Sequence, residues 1–258
     1  MHNTMANSAV APLQPTWNGY LASTWDAMLV MEASLQGLVR HIPRRPHDRE
    51  RGDLIKSGNV FVYEEGSSGI KRWTDGSSWS PSRIMCNYLI YRELDAPFPP
   101  GEKKRAIKKS QKRPLDDDTT MEVYNNSFHG VPNQAQNQVP EVSRDPGAMD
   151  SERALYGSLG DSYNFKNGGL MKKTFSIKLN DITHHLVSYY MPKDVIAGQL
   201  KRPTGDPLFD NIFPRDEILF DQTFRFQLDP NETGHHLARY NAAVARHSGH
   251  HQVTHSMM

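Results

Sequence analysis

The feature that most limits the fold of this chain is an interruption. After Asp95 the sequence turns polar: Pro97, Pro99, Pro100 and Gly101 stop regular structure, and Asn, Gln, Ser and Pro then dominate to about Asn167. A stretch so poor in core-forming side chains buries too little apolar surface to offset the entropy of ordering it, which predicts a disordered linker over 96–168. The remaining apolar residues fall in two blocks, 16–95 and 169–229, between a flexible arm at 1–15 and a polar tail at 230–258. The second block is about the size at which an isolated domain is marginal. That small size predicts that the two blocks fold as one unit.

Within the first block, Thr16 to Leu21 reads as a short strand with aromatic anchors. Ser23 or Thr24 then caps a helix over about Trp25 to Val39, since Ala27, Val30, Met31, Ser34, Leu35 and Leu38 recur at helical spacing. A basic connector with two prolines, His41 to Pro46, leads to a short helix over Arg49 to Lys56, ended by Gly58. Asn59 to Glu64 is rich in Val, Phe and Tyr and predicts a strand; Glu65 to Gly69 reads as a loop. In the second block, Phe175, Ile177 and Leu179 alternate with polar residues, Asn180-Asp181 is a turn, and Thr183 to Tyr190 completes a hairpin. Lys193 to Gln199 predicts a helix, Ile218 to Phe220 and Thr223 to Leu228 predict strands, and Leu237 to Val244 a marginal helix.

Within the first block, between its apolar runs, lies Gly69-Ile70-Lys71-Arg72-Trp73-Thr74-Asp75-Gly76-Ser77-Ser78-Trp79-Ser80-Pro81-Ser82-Arg83. Bases and hydroxyls bracketed by glycines are what a loop that grips phosphates needs: charged donors, small acceptors and backbone N–H groups that approach closely. Ser80-Pro81 has the form of a helix cap with proline at the first position, and Ile84 to Glu93 is read as the helix that follows. The residues alone leave a polar hairpin loop equally open.

This stretch resembles the signature of the WOPR-domain family of fungal regulators. The resemblance extends to Pro15-Thr16-Trp17-Asn18-Gly19-Tyr20, Asp26-Ala27, Ser57 to Glu65 and Tyr91-Arg92-Glu93-Leu94. It continues in the second block at Lys172-Lys173-Thr174 and at His184 to Tyr190. It implies an α+β fold of mixed, mostly antiparallel sheets with a few short helices, the two blocks interlocked into one composite DNA-binding unit. It also implies a nuclear, sequence-specific regulator of a fungal morphogenetic programme that binds A·T-rich duplex DNA, with other transcription factors as further partners. A non-catalytic protein- or RNA-interaction module is the alternative.

The chain carries 30 Lys and Arg against 29 Asp and Glu, so the distribution of charge matters more than its sum. Its single cysteine, Cys86, excludes a disulfide framework, sits in an apolar stretch and is expected to be buried and inert. No apolar run approaches a membrane span, and Met1 to Pro12 lacks the order of a secretory signal. No phosphate-loop, dinucleotide or nucleophile-elbow motif is present, and no cofactor or metal is expected. His184 and His185 are adjacent in a strand and face opposite ways, one packed and one exposed.

Candidate DNA contacts are Lys71, Arg72, Thr74, Ser80, Ser82 and Arg83 in the loop, Arg44 and Arg45 in the connector, and Lys172 and Lys173 opening the second block. Trp73 and Trp79 are expected to anchor the loop on the core. Arg49, Arg51 and Arg92 have acidic neighbours and are expected in surface pairs. Thr74 follows two bases and is a candidate phosphorylation site. Lys103, Lys104, Arg105, Lys108, Lys109, Lys112 and Arg113 form a basic run suited to nuclear import.

Overall fold

The computed structural model describes residues 12–99, 101, 155–159 and 163–254, with side chains placed as far as 248. The arm before 12, most of the 96–168 segment and the 103–113 basic run lie outside the described residues.

A single antiparallel sheet organises the chain. Its strands are β1 (Trp17–Asn18), β2 (Asn59–Glu64), β3 (Arg83–Met85), β4 (Tyr88–Arg92), β5 (Met171–Leu179) and β6 (Ile182–Tyr190), in the order β1-β2-β6-β5-β4-β3. The β5–β6 hairpin of the second block therefore stands in the middle, with strands of the first block on both sides. Among the described residues every strand pairing is antiparallel, within one sheet, in keeping with the expected mostly antiparallel α+β fold. The hairpin turns at Asn180 and Asp181, both left-handed (φ 49° and 64°), a conformation these two side chains tolerate better than most.

Strand alternation sorts the core into two layers. Val60, Val62, Phe175, Leu186 and Tyr190 face helix α1 (Thr24–Leu35), while Phe61, Tyr63, Val187 and Tyr189 face Leu13, Ile42, Leu54 and Ile70. Ser23 caps α1: its hydroxyl accepts from Asp26 N–H at 3.2 Å, and Asp26 Oδ2 accepts from Ser23 N–H at 3.1 Å. Gly37, left-handed at φ 75°, follows the helix end. Every residue from Thr24 to Ser34 is buried, so α1 is a core helix enclosed on all sides rather than a surface helix with one apolar stripe. Two acids are thereby buried, and later segments supply their partners. Arg202 meets Asp26 at 3.0 Å, and Arg215 meets Glu32 at 2.9 Å.

Several expectations are corrected. The region 84–93 is not a helix after Ser80-Pro81 but the β3–β4 hairpin, in which Tyr88 and Ile90 are buried and Leu89 is exposed. Ser80 makes no helix cap there; its hydroxyl accepts the Arg92 N–H at 3.1 Å. Cys86 sits exposed in the turn at φ 51° instead of buried. Helices α2 (Asp48–Leu54) and α4 (Pro192–Ile196) stand where helices were expected, but Glu65–Ser68 is a helical turn (α3), not a loop.

Nor are 218–220 and 223–228 strands. Asp216–Leu219 is a helical turn (α5) with two acids in its first turn, the side favoured by the helix dipole, and Phe224 packs on Phe175 without joining a ladder. At the end of the 96–168 segment, Leu155, Leu159 and Tyr163 are buried in the α1-side core. In the tail, Thr233, His236 and Ala243 are buried, and α6 (Leu237–Thr254) is longer than the expected helix.

Candidate nucleic-acid interface

The basic loop is a braced surface. Gly69 ends α3 in a left-handed conformation (φ 65°), and Ile70, 2% exposed, then plugs the second core layer. That throws Lys71 and Arg72 outward, both exposed, and among the described residues neither has an ion-pair partner. Trp73 turns back in. Its ring lies 5.3 Å from that of Phe61 and 5.6 Å from that of Tyr63, and its Nε1–H donates to Tyr189 Oη at 2.6 Å. Thr74 is exposed.

Asp75 is the residue that sequence reasoning missed. It is 5% exposed and saturated with donors. Oδ1 accepts from Trp79 Nε1 at 2.8 Å and Ser77 N–H at 3.2 Å; Oδ2 accepts from Tyr189 Oη at 2.6 Å and Lys172 Nζ at 3.0 Å. Burial pushes the Lys172 ammonium down, and the Asp75 carboxylate partly offsets that. Burial also raises the Tyr189 phenol well above its ordinary value. Gly76 (φ 81°) lies so close to Arg51 that a Cβ there would sit 2.6 Å from Nη1. Both indoles flanking Asp75 are thus anchors, as expected.

The other candidates divide by burial. Arg45 joins the loop: it is exposed, and its Nε donates to the Arg72 carbonyl at 2.8 Å. Ser82 is exposed. Arg44 is committed to a bidentate pair with Glu50, at 2.6 and 2.8 Å, which holds that carboxyl below its usual range. Arg83 stands opposite Ile90 in the ladder, so it leaves the sheet on the α1 side, and its Nη2 donates to Tyr163 Oη at 3.2 Å. Arg51 pairs with Asp48, whereas Arg92 is sandwiched by the rings of Tyr156 and Phe165 at 4.4 and 4.3 Å.

The expectation that Lys172 and Lys173 touch phosphate is corrected, because both are buried. Lys172 lies under Trp79 and Tyr91, 4.2 and 5.0 Å from their centroids. Lys173 is fully buried, donates to the Leu21 carbonyl at 2.8 Å, and is ringed by Tyr20, Tyr88 and Tyr190. A readable signal existed: Lys173 is in phase with Met171, Phe175 and Ile177 along the strand. His184 is buried against His41, with ring centroids 5.6 Å apart, while His185 turns to the other face and packs on Tyr63. Among the described residues no group of three or more His, Cys, Asp or Glu could hold a metal ion.

Sheet and loop together define a scaffold that presents cations from one fixed surface segment. The Gti1/Pac2 family matches residues 16–191. The chain is 52% identical over 231 residues to the global transcription regulator sge1 of Verticillium dahliae, covering 86% of this chain and 45% of that one. To sge1 of Fusarium oxysporum it is 49% identical, covering 90% and 69%. The chain thus spans about half the length of the first of these relatives. A solved structure described as a fungal protein is similar to this fold at 32% identity, covering 81% of this chain and 91% of that one, with a TM-score of 0.52. The WOPR domain of Wor1 from Candida albicans, solved in complex with 13-bp duplex DNA, is 30% identical, covering 80% and 94%, with a TM-score of 0.49. The chain belongs to the Gti1/Pac2 family, the family of WOPR domains.

Proposed function

We propose that this chain is a nuclear transcription regulator of a fungal developmental programme that binds duplex DNA sequence-specifically, at A·T-rich sites and without catalysis. The observation that carries the reading is the loop of Lys71 and Arg72, exposed cations on a backbone fixed by buried anchors. Relatives named as global transcription regulators support it. Arg72 reads base edges with its planar fork, and Lys71 neutralises phosphate. The basic run 103–113 serves nuclear import, and phosphorylation of the exposed Thr74 would set a dianion against DNA phosphates.

In vitro selection of bound duplexes, followed by competition with scrambled duplex, single strands and RNA, tests this. A selected site that outcompetes all three supports the reading; equal binding of RNA or of any duplex overturns it. Replacing Arg72 by Ala is expected to cost about 1–3 kcal/mol on the selected site and little elsewhere. Replacing Lys71 by Ala should weaken all duplexes and lower the salt slope by about one.

A further inference from the structure

A charged loop binds any polyanion, but it discriminates among sequences only when its side chains are held in one place relative to the scaffold. In this molecule the holding converges on one carboxylate. Lys172 and Tyr189 are ladder partners on β5 and β6, so both side chains stand on the same face of the sheet. Both reach Asp75 Oδ2, while Trp79 reaches Oδ1 from the loop itself. Trp73 closes the set by donating to the same Tyr189 oxygen. Asp75 and Lys172 are each under a tenth exposed, so neither is placed to meet a ligand. A buried ion pair of this kind is weak evidence for stability, because desolvation offsets its attraction. What it does fix is geometry: removing any member leaves a buried donor or acceptor unsatisfied.

We propose that Asp75, acting with Tyr189 and Lys172, is the positioning element that gives the Lys71–Arg72 loop its sequence discrimination. The second block thereby acts on DNA through this buried contact rather than through phosphate contacts of Lys172 and Lys173. The inference rests on the duplex-DNA reading above.

The test uses the whole chain and three measurements: affinity for the duplex selected by the wild type, affinity for a scrambled duplex, and thermal stability. Tyr189→Phe keeps the ring against Phe61 and Trp79 and deletes only the hydroxyl that links Trp73 to Asp75. Its affinity for the selected duplex should fall about tenfold, because the loop that these two hydrogen bonds hold in place in the free chain must then be ordered on binding. Affinity for the scrambled duplex should stay within about twofold, because the cations remain on the loop. Asp75→Asn should move the same ratio at least as far; if it fails to fold, Tyr189→Phe decides. A merely structural role would lower both affinities in parallel with the folded fraction. An unchanged ratio in a folded Tyr189→Phe chain, beside a discriminating wild type, overturns this inference alone. A wild type that prefers no duplex overturns the DNA reading and this inference with it.

Discussion

Lys173 places an ammonium in a cage of three tyrosines, where burial pushes its pKa down to about 7 and Asp26 only partly offsets the shift. Between about pH 7 and the ordinary lysine value the unfolded chain holds a proton that the folded chain has released. Stability must then rise with pH through that window, by at most about 1.4 kcal/mol per unit. Below pH 7 both states are protonated and the full cost of burying the charge remains. The surrounding phenols set the upper limit. Burial raises Tyr20 to about 12 and Tyr88 and Tyr190 well above 10, so their contribution is lost as pH climbs past 10. Urea unfolding from pH 7 to 9.5 at fixed ionic strength should show a rising wild-type midpoint and a flatter one in Lys173→Met. The prediction concerns the slope, since Lys173→Met also deprives the Leu21 carbonyl of its donor. Equal slopes would show that the amine stays charged in the fold.

The β3–β4 hairpin and helix α1 show which elements a sequence reveals and which it conceals. The β5–β6 hairpin was legible, because alternation and an Asn-Asp turn agree on one structure. The start of α1 was legible to within one residue, Ser23 or Thr24, because cap chemistry there is local; the cap is Ser23. Ser80-Pro81 misled because cap chemistry is local, whereas the Ser80 hydroxyl is used by Arg92, twelve residues on. Asp75 was hidden because its partners lie as far as 114 residues away in sequence. Two predictions belong to these elements. Cys86, the chain's one cysteine, is exposed in the hairpin turn, so one thiol per chain should react with a soluble disulfide reagent in the native state. A thiol that reacts only in denaturant would restore the helix reading.

The second prediction concerns Glu32 on α1. Burial pushes its carboxyl up, but hydrogen bonds from Arg215 reverse this and hold it below its ordinary value. That stabilisation is present above the unfolded pKa and is lost as pH falls through the folded one. Arg215→Ala should cost about 2 kcal/mol at pH 7, discounted because the arginine is 37% exposed. Adding Glu32→Gln should recover part of the loss. A destabilisation equal in both chains would show that packing, not charge, is what Arg215 contributes.

Across the whole molecule the two sequence blocks share one sheet, and the second block supplies its centre. Cut free, residues 170–229 would keep only β5 and β6 of the six strands, without β2 and β4, which pair their outer edges, and without α1, which covers Phe175, Leu186 and Tyr190. A two-stranded hairpin with an uncovered apolar face is marginal in water. Amide exchange in that fragment should therefore show no protection, while the same amides should be among the slowest in the full chain. Excising 102–154 and joining the ends with a Gly/Ser linker should leave the unfolding midpoint within a few degrees. Loop closure costs change only slowly with length, by about 0.6 kcal/mol for each doubling. The excision has to stop before Leu155, whose carbonyl accepts from the buried Tyr190 hydroxyl, and must spare Leu159, which is fully buried. Extending it to Asn164 would remove both, uncover the α1-side core and take Tyr163 from Arg83. A protected fragment, or a long excision as stable as the short one, would mean that each block closes its own core.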